Sequence, residues 1–267
     1  MKNQGKDYGL KKDNAKANSI KNKNKKTVKN AILTLLIILF IIMIIISGTQ
    51  LFKWYVNNKE NKEIINEIKS ENIVVYDEVS DEFSIDFNAL KEINSDVVGY
   101  LEVNNTNISY PVVKSSDNNY YLTHNLKNEY NGSGWVFMDY RNNLDGKDKN
   151  IIIYGHNMRD GSMFGSLKNI LDSNWYKNDE NRIITLVTEN GTEKYEVFSV
   201  YQVEKEDYYI TTGFSDNSEY KQFLKNIRDR SIYDFGVGVS SEDSILTLST
   251  CANNNVYRVV LHAKKVE

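Results

Sequence analysis

The pattern of hydrophobic and polar positions changes character twice along the chain. Residues 1–30 are polar with few apolar side chains. Then comes AILTLLIILFIIMIIISG, Ala31 to Gly48, 18 residues without a charge, which Leu51 and Phe52 extend. A bilayer core of roughly 30 Å needs about 20 apolar residues in a helix, so Ala31–Phe52 predicts a transmembrane anchor. A core helix would be shorter and would rarely be apolar on every side. A cleaved signal peptide has an apolar run of about 7–15 residues and a small-residue cleavage site. This run is longer, and Ser47-Gly48-Thr49 is a poor cleavage match, so the anchor is read as uncleaved.

Residues 53–75 read as a polar helix with a thin apolar stripe, Ile64, Ile65 and Ile68, then Ile73: a stalk running into a small helical region. Residues 81–95 predict a second short helix through Phe83, Phe87, Leu90 and Ile93. From about Val97 the period becomes two. Strands fit Val97–Val103, Ile108–Val113, Gly134–Tyr140, Asn150–Tyr154, Arg182–Thr188, Glu193–Glu204, Ser244–Thr250 and Tyr257–Val266. β-branched and aromatic residues dominate these runs, and Gly, Asn and Asp bound them. Asn190-Gly191 between two such runs predicts a type I′ hairpin. Two helices interrupt the strands. Phe164, Leu167 and Leu171 suit a short one. Asp216 and Glu219 form a capping-box-like start for the other, in which Tyr220, Phe223, Leu224 and Ile227 repeat at i, i+3, i+4 and i+7. The fold class is mostly β, antiparallel, with about eight strands closed into one barrel that leaves no exposed edge. The organisation predicted is a cytoplasmic lysine-rich tail (1–30), a transmembrane anchor (31–52), a stalk and helical region (53–84) and an extracytoplasmic catalytic domain (85–267).

Charge gives the anchor a direction. The formal net charge of −3 hides ten lysines against Asp7 and Asp13 in residues 1–30, a balance of +8, which leaves −11 for the rest. Positive flanks stay cytoplasmic, so residues 53–267 are expected outside the cell membrane. The tail is too polar to fold; it reads as a topology signal that can also touch membrane lipid. With 40% hydrophobic and 26% charged residues, wholesale disorder is excluded. An acidic domain argues against a nucleic-acid partner. The single cysteine excludes an intramolecular disulfide and a Cys-rich zinc finger.

That cysteine, Cys251, ends the run SILTLSTC. On a strand, Leu246 and Leu248 share one face and Thr247, Ser249 and Cys251 the other. Cys251 thus lies on the more polar face at a strand end, before a loop over Ala252–Val256. Two readings stand: a reactive thiol, or a small packed one. A cysteine nucleophile works as thiolate and needs a base or a positive field nearby. Of three histidines, His124 reads as a loop residue and His262 as an ordinary strand side chain. His156 follows the apolar run Ile151–Tyr154 and Gly155, at the end of a buried strand, which suits chemistry. Arg258 opens the last strand seven residues after Cys251, so hairpin pairing brings it close. A guanidinium stays charged and could steady an oxyanion, or could simply be a surface arginine. No Gly-rich phosphate loop, H-E-x-x-H or G-x-S-x-G occurs, and three scattered histidines make no zinc site.

These residues resemble a family. TLSTC (Thr247–Cys251) resembles the T-L-x-T-C signature of sortases, the membrane-anchored transpeptidases of Gram-positive bacteria. YGHNMRDGSMFGSL (Tyr154–Leu167) resembles the segment around the sortase histidine, and YRVVLHAKKV (Tyr257–Val266) their last strand with its arginine. The resemblance covers roughly residues 85–267. The helix before the cysteine strand, the N-terminal helical region and GHNMRDGSMF look like class B sortases.

The resemblance implies an eight-stranded barrel with that inserted helix. It makes Cys251 the nucleophile, His156 the general acid/base and Arg258 the oxyanion or substrate ligand. It also sets Asn118, Leu122, Tyr209, Ile210 and Ser249 where class B sortases line their substrate groove; core packing is the alternative for Leu122 and Ile210. The short spacing from Cys251 to Arg258 implies a compact connecting loop. The implied partners are exported proteins with a C-terminal sorting motif, cleaved after threonine, and a peptidoglycan-precursor amine. No metal or organic cofactor is expected. A hydrolytic cysteine peptidase would use the same triad; a tethered binding module would hold Cys251 buried and inert.

Overall fold

The computed structural model describes the backbone of residues 4–77, 82–251 and 256–266, and side chains from Lys21 onward except those of Asn22 and Cys251. The predicted loop over 252–255 lies outside the described residues. The chain divides into two compact units, residues 1–55 and 56–267. The first is helical, the greater part of α1 (Gln4–Ser70). Its apolar run is exposed throughout, with Ile37 51% and Phe40 60% accessible. It is long and apolar enough to cross a membrane.

The second unit begins with the last turns of α1, whose Ile64 and Ile68 are buried. The helix ends in a Schellman arrangement: Asn72 takes φ +54, Ile73 N donates to Ile68 O at 3.0 Å and Asn72 N to Lys69 O at 3.2 Å. Ile73 is therefore past the helix, not in it. β1 (Val74–Asp77) follows and pairs antiparallel with β2 (Glu82–Ile85). The helix expected over 81–95 is in fact β2 followed by α2 (Phe87–Ile93). Asp86 decides where the helix starts, by accepting from Ala89 N at 3.0 Å. Phe83 instead serves a strand, its ring 5.5 Å from Tyr100.

The eight remaining strands are β3 (Val97–Val103), β4 (Ser109–Val113), β5 (Phe137–Met138), β6 (Asn150–His156), β7 (Ile183–Thr188), β8 (Gly191–Glu204), β9 (Ile245–Cys251) and β10 (Tyr257–Lys265). They close into a barrel in the order β10-β8-β7-β3-β4-β5-β6-β9. The pairing is antiparallel except at β4–β5 and β6–β9, which are parallel. The expected strand over Gly134–Tyr140 shrinks to two residues. Gly134 takes φ +56 before it, and after it Asp139 opens a turn closed by Asn142 N to Asp139 O. The β7–β8 hairpin forms, but not as a type I′ turn. Thr188 pairs with Gly191, neither Glu189 nor Asn190 has a positive φ, and Gly191 carries it at +126.

Leucine, valine and isoleucine from every long strand meet Trp135 in the main core. Three short elements cross from β6 to β7: a 3₁₀ turn, Leu167–Leu171, α3 (Ser173–Lys177) and a second 3₁₀ turn, Asp179–Arg182. A second core lies under α4 (Asn217–Asp229). There Tyr220, Phe223, Leu224 and Ile227 pack with Tyr201, Tyr209, Ile245 and Val260, each burial contributing about 1.5–3 kcal/mol. Asp216 caps α4 by accepting from Ser218 N and Glu219 N at 2.8 and 2.9 Å. Glu219 reaches back one residue further than a capping box requires, to Ser215 N at 2.6 Å.

Candidate active site

The site grows from the one long parallel pairing in the barrel. β6 and β9 run together from Asn150↔Ile245 to His156↔Cys251. His156 and Cys251 are thus direct neighbours at the same end of adjacent strands, about 4.8 Å apart as strands are. On the other side of β9, β10 pairs down to Val260↔Ser249. Beyond it Val259 N donates to Thr250 Oγ1 at 2.9 Å, and the same register carries Arg258 level with Cys251. The sheet therefore lines up His156, Cys251 and Arg258 across three strands.

His156 is held by a clamp. Its Nε2 lies 2.8 Å from Leu122 O. A carbonyl only accepts, so Nε2 carries a hydrogen and Nδ1 is the nitrogen left to exchange a proton in the neutral ring. Gly134 leaves room for that ring: a Cβ there would stand 2.9 Å from His156 Cδ2 and 2.4 Å from Tyr121 O. Burial, first, pulls the His156 pKa below its ordinary value; the Leu122 carbonyl opposes this and the Arg258 charge adds to it. Burial thus favours the neutral ring.

The face of β9 shared by Thr247 and Ser249 is buried rather than solvent-facing, at 0% and 1% exposure. The 3₁₀ turn Tyr208–Ile210 and α4 cover it. Tyr209 OH lies 3.0 Å from Ser249 Oγ, so these two are partners in the second core. Leu122 and Ile210 are half-buried and pack on the core edge, and the Leu122 backbone serves His156. Asn118 is half-buried and donates to Asp139 Oδ2 at 2.9 Å while accepting from Tyr140 N at 3.0 Å.

Asp139 ties these pieces together, and nothing in the sequence pattern singled it out. Its carboxylate is fully buried. It accepts from Arg141 Nε and Nη2 at 2.8 and 2.7 Å, from Tyr154 OH at 2.8 Å and from Asn118. Arg141 Nη2 also reaches Ile210 O at 2.9 Å. One ion pair thus joins the Asn118 segment, β6 and the Tyr208–Ile210 turn. Burial works to raise the Asp139 pKa, but the donors from Arg141, Tyr154 and Asn118 outweigh it and the net shift is downward.

The family profile described as a sortase domain matches residues 101–266. The chain belongs to the sortase family. It is 38% identical to sortase B of Listeria monocytogenes, over 83% of this chain and 92% of that one. It is 31% identical to sortase B of Staphylococcus aureus, over 84% and 92%. The crystal structure of sortase B from Bacillus anthracis overlays with a TM-score of 0.70 at 38% identity, covering 80% of this chain and 99% of that one. A Staphylococcus aureus sortase B–substrate complex overlays with a TM-score of 0.65 at 30% identity, over 79% and 94%. The chain is a sortase-type cysteine transpeptidase, most like class B.

The other two histidines of this sortase lie elsewhere. His124 stacks on Tyr120 with ring centroids 4.0 Å apart. His262 is fully buried in β10 between Thr247 and Tyr201. Besides Asp139 and Arg141, sequence reasoning missed Tyr154, two residues before His156 on the same strand face, and Gly134 beneath the imidazole. A lone Gly between two Ser/Trp positions carries no spacing signal; only the fold shows what it touches.

Proposed function

We propose that this sortase cleaves a C-terminal sorting motif of exported proteins after a threonine and joins the new carboxyl end to an amine of a peptidoglycan precursor. The observation that carries the reading is the register His156↔Cys251 on parallel strands, with Arg258 level on the next strand.

In the first half-reaction the Cys251 thiolate attacks the threonine carbonyl carbon and an S–C bond forms. Arg258 donates to the oxyanion or to the peptide backbone beside it. The C–N bond then breaks. The departing amine takes a proton from Nδ1 of the His156 imidazolium, leaving a thioester and neutral imidazole. In the second half-reaction the acceptor amine adds to the thioester carbonyl and gives its proton to Nδ1. The tetrahedral centre collapses and expels the Cys251 thiolate, so enzyme and protons return to their starting state. Leu122 O holds the ring by Nε2–H through both transfers. The reactive thiolate–imidazolium pair differs from neutral cysteine and histidine by one proton passed from Cys251 to His156, so the two titrate as a coupled pair.

In this reading the half-buried Asn118, Leu122 and Ile210 form the groove side, and the buried Tyr209 and Ser249 support it from the second core. The apolar helix is the membrane anchor, with the lysine-rich residues 1–30 cytoplasmic and the barrel outside. The test uses quenched peptides, each with a threonine-containing candidate motif, with and without an amine acceptor. Cys251-dependent cleavage with the product captured by the amine is expected. Cleavage indifferent to the amine would make the protein a peptidase instead.

A further inference from the structure

We infer that Asn58 and Asn61, on the stretch of α1 that follows the apolar run, are positioning residues for His156. The inference rests on the reading of His156 as the general acid/base. It starts from a pattern: Asn58 and Asn61 continue the stripe of Ile64, Ile65 and Ile68 at spacings of three and four. Both are buried, at 6% and 4% exposure. The face of the helix that is apolar at its far end becomes amide-rich where it meets the loops around His156.

Each amide has a defined job. Asn61 Nδ2 donates to Gly134 O at 3.1 Å, and Asn61 Oδ1 accepts from Asn131 Nδ2 at 3.2 Å. Asn131, fully buried, also donates to Asn57 O at 3.0 Å. Asn58 Oδ1 accepts from Ser133 Oγ at 2.7 Å, and Asn58 Nδ2 donates to Asp160 Oδ2 at 3.0 Å. So three residues of the loop, Asn131, Ser133 and Gly134, and the turn after His156 hang on one helical turn.

That loop is what holds the imidazole. Asn131 N donates to Thr123 O at 2.8 Å and Trp135 N to Tyr121 O at 2.9 Å, framing Leu122 between them. Leu122 O takes the His156 Nε2 hydrogen, and Gly134 lies against the ring. On the other side, Asp160 sits in the turn where Met158 N and Phe164 N both donate to His156 O, at 3.0 and 2.9 Å. The helix thus steadies the carbonyl that clamps the ring and the backbone that carries it. Asn61→Leu takes the amide donor from Gly134 O, and Asn58→Leu takes the acceptor from the buried Ser133 Oγ, so the loop must shift to find water.

The test uses the full chain in detergent micelles with Asn61→Leu, Asn58→Leu and the milder Ser133→Ala, which cuts the Asn58 link from the loop side. Lys59→Ala, on the exposed face of the same turn, is the control. Two quantities are read: the ring titration of His156 by NMR, assigned through loss of its signal in His156→Gln, and kcat and KM separately. The expected result is a His156 midpoint that rises toward the ordinary histidine value, because the loosened clamp admits water. With it, kcat falls about tenfold or more while KM stays within about twofold, and Lys59→Ala changes neither. Folded variants with an unmoved His156 midpoint overturn the inference, whatever their activity. A moved midpoint in a chain whose wild type shows no Cys251-dependent cleavage keeps the clamp and overturns the catalytic reading instead.

Discussion

His262 should make this barrel acid-sensitive, and its hydrogen bonds say why. Thr247 Oγ1 donates to Asn150 Oδ1 at 2.6 Å, so toward His262 it accepts, and Nδ1, 2.8 Å away, bears the hydrogen. Tyr201 OH then donates to the bare Nε2 at 2.9 Å. The neutral ring satisfies every partner, whereas a second ring proton would force Tyr201 OH to turn its own hydrogen away and would put a charge in a fully buried site. Burial, and after it the positive charge of Arg230, pull the His262 pKa down to about 3. In the unfolded chain a histidine titrates near 6.5, or about that. The unfolded state therefore gains a proton as pH falls below about 6.5, and the folded state does not until about 3. Stability is full above this window and falls through it by about 1.4 kcal/mol per pH unit. From pH 7 to pH 5 the loss from this one group is about 2 kcal/mol. The assay is urea unfolding of the barrel at pH 7 and pH 5, for the wild type and His262→Gln. The variant starts less stable at pH 7, but its loss between the two pH values is smaller by about 2 kcal/mol. His156 titrates in both proteins and cancels. An equal loss in wild type and variant would refute the reasoning.

Three further outcomes follow from the geometry. Gly134→Ala places a Cβ 2.4 Å from Tyr121 O and 2.9 Å from His156 Cδ2, at φ +56; a left-handed alanine alone costs about 1–2 kcal/mol. Its thermal midpoint should fall by several degrees and its kcat/KM by about tenfold or more, and an unchanged kcat/KM would count against the clamp. Arg141→Ala leaves the Asp139 carboxylate buried without its cation, at a cost of about 3 kcal/mol. Pairing it with Asp139→Asn should recover part of that loss in chemical denaturation, whereas additive losses would show the pair to be uncoupled. Because the Asp139 pKa is lowered in the fold, its contribution is present above the ordinary carboxylate range and lost as pH falls through the folded value. Wild type should therefore lose more stability than Asp139→Asn below about pH 4.

Much of this was legible in the chain. The barrel strands announce themselves by period two, because each has one face in the core. α4 announces itself by Tyr220, Phe223, Leu224 and Ile227, because they lie on one stripe over β8–β10. The residues lined up across three strands, His156, Cys251 and Arg258, were readable from motif and strand order. What stayed hidden depends on tertiary contact. Phe83 fits a helical stripe or a strand equally well, and only its packing on Tyr100 and the Asp86 cap make it a strand. β5 is two residues long because its neighbours are used elsewhere: Gly134 for the His156 ring, Asp139 for the ion pair. Thr247 and Ser249 look like a solvent face by polarity, yet α4 and the Tyr208–Ile210 turn cover them; Thr247 finds its hydrogen bonds in Asn150 and His262, and Ser249 in Tyr209. The asparagines of α1 look like ordinary polar stalk residues until the loop 131–134 is laid against them.

The most direct measurement of the central claim is the mass of the enzyme caught mid-reaction. The chain is mixed with a threonine-motif peptide that its own activity selects, quenched in acid, digested and mapped. The expected product is an adduct on Cys251 equal to the peptide up to and including its threonine. It should be released by hydroxylamine as the hydroxamate, absent from Cys251→Ala, and much slower to form in Arg258→Ala. Cleavage that proceeds in Cys251→Ala, or an acyl group mapped to another residue, would contradict it.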